Sequence, residues 1–534
     1  MTDQRIHGLY RDLVSKRIDR RGFLQGAAAM GISASAAGLF LRAADVRAQA
    51  APAPPVVAVP ATDGGMFKGV ELTIQVIDAS VKQPCDEVRA EFEAATGAKV
   101  TIVADPIDGA LSKLIEDQQT SKKIDGSMIG MWWLGELVAG NYLKPYDDYL
   151  ADTSGKFPKF DFAADLPGIQ ALHMYGGKKY VVPYDADGQV LYYRRDLIQD
   201  PTHMKAFKDA TGKDLAVPTT MDELLAVAGY FNGKDLGSGK PGSGVSMHLK
   251  TGGQGMFHFM TLSAPYVIGP ENKNTYWFNS DTMEPLIKSE GHRRAMETYL
   301  SLAKLGPEAM LGWALGEAWD YFLNGNAMFT YSWGDVAALA VQNKSFVKGK
   351  VGSIQMPGTL AYVNPQTGTE YKTDKPNYVG NTTGGSWAGV VTAGSAHPEA
   401  AYYWWALMAT EPKMRFYAAR GSDGVDPGKT FQILPPEGSG KLEDYTNQGW
   451  DPKDAEEYTK AYFNTFQNPN QLPYLRIPGT FEYWTALDVR LAEAVSGGQT
   501  PDAALTAMAK DFADITDRLG KDTQLEQYKA SLGV

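Results

Sequence analysis

Asp185 and Asp187 stand two residues apart in VVPYDADGQVLYYRRDL, residues 181–197. Carboxylates so close can hold a metal ion, share a proton as an acid–base pair, or accept hydrogen bonds from a ligand's hydroxyls. The rest of the chain narrows that choice. Its seven histidines are scattered, with no H-E-x-x-H and no pair at i, i+4, so no metal centre is expected. The single cysteine, Cys85, excludes an internal disulfide, a cluster held by several thiolates and a multi-cysteine zinc site. It reads as a buried or idle thiol, and no cofactor is expected.

Other motifs fail on context. Gly237-Ser-Gly239-Lys-Pro-Gly242 matches G-x-G-x-x-G, but no clear strand leads into it and Pro241 stands where a helix should begin; it reads as a loop. Lys250-Thr251-Gly252 and Ser301-Leu-Ala-Lys304 mimic two β-lactamase boxes in reverse chain order, without an S-D-N partner. The tryptophans are more informative. In SAHPEAAYYWWALM, Ala400, Tyr403, Trp404 and Leu407 repeat at helical spacing behind Pro398, which predicts core packing. Trp132-Trp133, Trp333, Trp387 and Trp484 instead lie near expected element boundaries, where a flat ring either lines a cleft or closes the core.

These residues must be positioned by a large scaffold. At 534 residues the chain exceeds what one core usually organises, which predicts two or more lobes. The net charge is −11, and with the basic first fifty residues set aside the remainder carries −15. Such a surface repels nucleic acid and anionic membrane, so neither is expected as a partner.

The elements read as alternating strands and helices. ELTIQVID (71–78) has the period of a strand, CDEVRAEFEAATG that of a helix ending at a left-handed Gly97, and AKVTIVA that of a second strand. Thr220 and Glu223 form a capping box ahead of MDELLAVAGYF, and Thr500-Pro501 opens a helix bearing Leu505, Met508, Phe512, Ile515 and Leu519. The pattern is α/β.

At the N-terminus, Arg20-Arg21 with Phe23-Leu24, a weakly apolar stretch from Gly22 to Leu41, and Ala48-Gln49-Ala50 resemble a twin-arginine export signal. Asp19 departs from the Ser or Thr common at that position. The expectation is a leader over 1–50, cleaved after Ala50 and engaging the twin-arginine translocase, followed by a Pro/Ala linker over 51–67.

Phrases in order along most of the chain resemble the bacterial extracellular solute-binding proteins of family 1, the carbohydrate-type receptors of ABC importers. They include EVRAEFEAATGAKVTI, WWLGELVAGNYLKPYDDYL, Val182-Pro183 with Leu191-Tyr192-Tyr193, AWDYFLNGNAMFTYSWGD, GGSWAGVVTAGSAHPEAA and FEYWTALDVRLAEAVSGGQTPDAALTAM. Arg194-Arg195 replaces the usual Asn-Lys and is expected to face solvent. The stretch 431–470 matches poorly. The resemblance implies a periplasmic binding protein of type II, with two α/β lobes joined by hinge crossings around a ligand cleft. It places lobe one at 68–186 plus 387–430 and lobe two at 187–386 plus 431–534. It implies a monomeric periplasmic receptor that hands a sugar or polyol to an ABC permease and does no chemistry.

Site residues carried over from the resemblance begin with Asp187, which lies where maltodextrin-type receptors place a carboxylate that accepts sugar hydroxyls. Trp484 lies at a stacking-aromatic position, Trp333 within one residue of another, and Trp132 at or next to a polar ligand position. Trp387, Asp78 and Ser80 join them by location. Asp187 also fits a purely structural part, bonding backbone N–H groups at the hinge, and Asp185 is expected to be a hinge or supporting group. Gly188 is expected to let the chain cross without a side chain in the way. An exported sugar hydrolase with two carboxylates is the other class that these residues allow.

Overall fold

The computed structural model describes Gln25, residues 53–57, 65–342 and 344–534. The expected leader, apart from Gln25, lies outside the described residues. The fold is that of the unit Pro55–Val534.

The opening elements follow local rules. Glu71–Ile77 is a strand with Leu72, Ile74 and Val76 buried, and Gln83–Thr96 is a helix with Val88 and Phe92 buried. That helix ends at Gly97, whose φ of 73° is open to glycine without a β-carbon penalty. Lys99–Asp105 then pairs parallel with the first strand. The capping box at Thr220 and Glu223 starts the helix Met221–Phe231, and Thr500 caps Pro501–Leu519. Pro398–Met408 is buried on every side from Ala400 onward, so its aromatics are core. Cys85 is buried against Met408.

Two sheets organise the unit. In the first, Lys99–Asp105, Glu71–Ile77 and Gly126–Gly130 run parallel, and Trp387–Thr392 closes on them antiparallel, pairing also with Leu143–Lys144 and Val181–Pro183. The second has the order Val351–Ile354, Val190–Arg194, Ala327–Ser332, Ser243–Ser246. Val181–Pro183 belongs to one sheet and Val190–Arg194 to the other, so residues 184–189 carry the chain between them. A second segment, 380–386, leads into Trp387–Thr392, and a third, 421–428, follows the helix Glu411–Arg420. The poorly matching stretch 431–470 contains the helix Pro452–Gln467, whose Tyr458 and Tyr462 are buried.

The three segments meet at Asp185. Its Oδ1 accepts from the backbone N–H of Ala186 at 2.6 Å and of Asp426 at 2.9 Å, and its Oδ2 accepts from Trp387 N–H at 2.9 Å. Asn381 bonds both the N–H (2.9 Å) and the carbonyl (3.0 Å) of Gln189, joining the first two segments again. Gly188 packs so closely that a β-carbon there would lie 2.7 Å from the Phe466 ring. Its lack of a side chain serves this contact rather than a left-handed backbone.

The solvent-facing expectation for Arg194 and Arg195 is corrected. Both are buried. Arg194 forks onto Asp196, at 2.7 and 2.6 Å. Arg195 bonds Val351 O at 2.6 Å, Asp454 at 2.8 Å and Glu457 at 2.9 Å. Burial is tolerated because each guanidinium meets carboxylates, and Arg195's carboxylate partners lie more than two hundred residues away in sequence. Neither arginine is available to a ligand.

Removing the Asp185 carboxylate strands buried N–H groups from three segments, each at about 1–3 kcal/mol. Asp185→Ala is therefore expected to lose about 3–5 kcal/mol of unfolding free energy, measured by urea denaturation. A loss below about 1 kcal/mol would show that water replaces the carboxylate.

Candidate functional site

Four of the tryptophans meet in one place, each delivered by a different element. Trp132 sits on the 3-10 turn Met131–Trp133 beyond a strand of the first sheet, and Trp387 begins another strand of that sheet. Trp333 follows the second-sheet strand Ala327–Ser332, and Trp484 lies in the helix Thr480–Val495. Trp387 meets Trp132 edge to face at 5.3 Å, and Trp132 meets Trp484 at 6.2 Å. Phe257 stands edge to face with both Trp484 (5.2 Å) and Trp333 (5.7 Å). Trp132 and Trp387 keep part of their surface exposed, whereas Trp333 and Trp484 are buried.

The turn Thr382–Ser386 brings Asp187 to this wall. Trp333 Nε1 donates to Thr383 O at 2.7 Å. Gly384 and Gly385 have φ of 107° and 76°, and Ser386 has 54°. A β-carbon on Gly384 would lie 2.2 Å from Trp333 Nε1 and 2.9 Å from Asp187 Cβ, so only glycine lets the two approach. Ser386 and Asp187 bond reciprocally: Asp187 N–H donates to Ser386 Oγ at 2.8 Å, and Ser386 N–H donates to Asp187 Oδ2 at 3.1 Å. Asp187 thus anchors the turn through Oδ2, while its partly exposed side chain receives no donor at Oδ1 from the described residues.

Ser80 and Asp78 are exposed beyond the first strand. Ser80 lies at the edge of the site, since a β-carbon on Gly424 would sit 4.0 Å from both Ser80 Oγ and Asp335 Oδ1. Asp78 gives its N–H to Asp105 O, and the contacts that unite the others do not reach it.

The sequence reading missed Tyr474, Asp335 and Asp426. Tyr474 packs on Trp484 at 5.3 Å, and its hydroxyl lies 2.1 Å from where a β-carbon on Gly385 would be. Its hydroxyl and Trp484 Nε1 are both buried without a hydrogen-bond partner. Asp426 accepts from Gly334 N–H at 2.8 Å, Tyr462 OH at 2.5 Å and Tyr458 OH at 3.3 Å. A signal for Asp335 existed in its place two residues beyond Trp333. Tyr474, in QLPYLRIPG, has no motif around it.

Burial, with the charges of Asp185, Asp426 and Asp335 nearby, pushes Asp187 well above the usual carboxylate range. Burial and Asp426 push Asp185 up as well, against the pull of its N–H donors, and the same causes bring Asp335 up to about 8. Burial takes Asp426 up to about 6, opposed by its Tyr and Gly334 donors. Among the described residues no group of three or more His, Cys, Asp or Glu is placed to hold a metal ion.

The family of bacterial extracellular solute-binding proteins matches residues 73–414. The chain belongs to this family. It is 24% identical over 287 residues to the "Probable ABC transporter-binding protein" of Deinococcus radiodurans, covering 52% of this chain and 61% of that protein. A Brucella abortus protein named only as a binding protein is 29% identical over 178 residues, covering 33% of this chain and 38% of the relative. The chain therefore spans less than two thirds of the length of these curated relatives. Solved structures share the fold: a ribitol-bound ABC transporter solute-binding protein of Agrobacterium radiobacter (TM-score 0.63, 19% identity, 84% of this chain and 99% of that one). A maltose-bound protein of T. maritima is similar (TM-score 0.60, 18% identity, 84% and 100%). The fold is the two-lobed type II periplasmic binding protein.

A raised carboxylate pKa means that the folded chain keeps a proton that the unfolded chain, near pH 4, has released. Stability from these groups is present at low pH and is lost as pH rises through the folded values. The buried histidines His173, His248, His258 and His292 are held below their ordinary pKa by burial and act in the opposite direction below about pH 6.5. Above that pH only the carboxylate trend remains. Thermal melting is expected to fall between about pH 6.5 and 8.5, by up to about 1.4 kcal/mol per pH unit for Asp335. Asp335→Asn should flatten that slope, and an unchanged slope would rule Asp335 out as its source.

Proposed function

We propose that the protein is a periplasmic receptor that captures a sugar or polyol between its lobes and delivers it to the permease of an ABC importer. The observation that carries this reading is the wall of Trp132, Trp387, Trp484 and Trp333 beside the free Oδ1 of Asp187. Apolar C–H faces of a sugar lie on indole rings, and a carboxylate accepts hydroxyl donors with charge-assisted strength. The family and the ribitol-, mannitol- and maltose-bound neighbours support it. In this reading lobe one comprises 68–186 with 387–430, lobe two comprises 187–386 with 431–534, and residues 1–50 are a twin-arginine leader. The receptor acts as a monomer and returns its ligand unchanged.

A thermal-shift panel of sugars and polyols on the full chain tests this. A ligand at 100 times its dissociation constant adds about 2.7 kcal/mol of stability. Asp187→Ala and Trp484→Ala are each expected to weaken that ligand at least tenfold. Unchanged affinity in both would overturn the proposed site. Incubation with oligosaccharides should leave them intact; cleavage products would favour a hydrolase working with two carboxylates instead.

A further inference from the structure

The charge in the cleft is one-sided. Asp185, Asp187, Asp335 and Asp426 act on one another electrostatically, and among the described residues none of the four pairs with a Lys, Arg or His. Nearby cations are committed elsewhere. Arg420 forks onto Glu87 (2.8 and 3.0 Å) and also bonds Asp423, and Lys429 pairs with Asp165. Arg476, two residues beyond Tyr474, gives its N–H groups to the carbonyls of Leu172, Met174 and Ser531. Arg194 and Arg195 are held by Asp196, Asp454 and Glu457.

The four carboxylates are not equivalent. Asp185 and Asp426 are each saturated by three protein donors. Asp187 Oδ1 accepts from no described residue, and the Asp335 carboxylate accepts only from its own backbone N–H. Tyr474 is 8% exposed and Trp484 2%; their rings pack at 5.3 Å, each has an unpartnered O–H or N–H, and the Tyr474 hydroxyl lies against Gly385, in the turn that anchors Asp187. Buried donors such as the Tyr474 hydroxyl and Trp484 Nε1 are normally satisfied, which calls for acceptors on a ligand, and the partly exposed carboxyl groups of Asp187 and Asp335 call for donors. Indole faces attract cations through their quadrupole, and a carboxyl group that no protein cation faces attracts one more strongly once it gives up its proton. A neutral polyol leaves these carboxyl groups protonated, a sugar acid or sugar phosphate brings an anion that they repel once ionised, and only a cation is stabilised by their ionisation.

We propose that the ligand is a polyhydroxylated molecule bearing a protonated amine, an amino sugar or aminated polyol, whose ammonium lies between Asp187 and Asp335 and whose hydroxyls meet Tyr474 and Trp484. This rests on the receptor reading and sharpens its ligand class. Asp335, brought up to about 8 by burial and Asp426, carries a proton at neutral pH that the ammonium displaces.

Titration calorimetry on the full chain at pH 7 with matched pairs tests it: glucosamine against glucose, 1-amino-1-deoxysorbitol against sorbitol, with gluconate as the anionic member. The amine of at least one pair is expected to bind tenfold or more tighter than its hydroxyl counterpart, with gluconate weakest. Asp335→Asn should reduce that preference to threefold or less. Equal or tighter binding of the neutral member overturns the amine assignment and leaves the sugar receptor standing. Binding of gluconate alone overturns the charge argument. Failure of every probe to bind overturns both. A preference that survives Asp335→Asn removes Asp335 from the site.

Discussion

The Asp185 carboxylate accepts N–H groups from Ala186, Trp387 and Asp426, so one buried side chain holds together three segments of chain, one of which, 184–189, passes between the sheets. Everything in the cleft inherits its position from that knot. Asp187 is two residues along one crossing, Trp387 begins the strand that ends the second, and Asp426 lies in the third and reaches Gly334 beside Trp333. The backbone N–H groups of these segments have no sheet partner where they cross, and an acceptor with several lone pairs satisfies them with one residue.

That arrangement carries an electrostatic cost with a use. Carboxylates serve as acceptors here because they can take several N–H groups each, yet concentrating four of them raises their pKa values and leaves groups that ionise readily only beside a cation. Protein donors neutralise the demand of Asp185 and Asp426, and the surplus falls on Asp187 and Asp335. The glycines at 384 and 385 let Trp333 and Tyr474 lie directly over the turn that anchors Asp187, so apolar and anionic surfaces share one wall.

Much of the scaffold was legible in the residue order. The period of ELTIQVID, the glycine stop after CDEVRAEFEAATG, the Thr220 capping box and the buried helix behind Pro398 all follow from interactions within a few residues, and each formed as read. The family was legible as well, because its phrases survive in order. The arginines at 194 and 195 misled: a charged pair after a strand reads as surface, and only the distant Asp454 and Glu457 make the interior tolerable for Arg195.

By itself the sequence determined the α/β elements, the family and the aromatic and acidic residue types available to a site, since these depend on local spacing and composition. Tertiary structure alone decided which of them meet. It brought Tyr474 and Asp335 beside Asp187, gave Asp185 to the hinge, left Asp78 outside the united contacts and turned both arginines inward. The physical reason is that a carboxylate's role depends on which donors surround it, and here those donors come from segments as much as 241 residues apart.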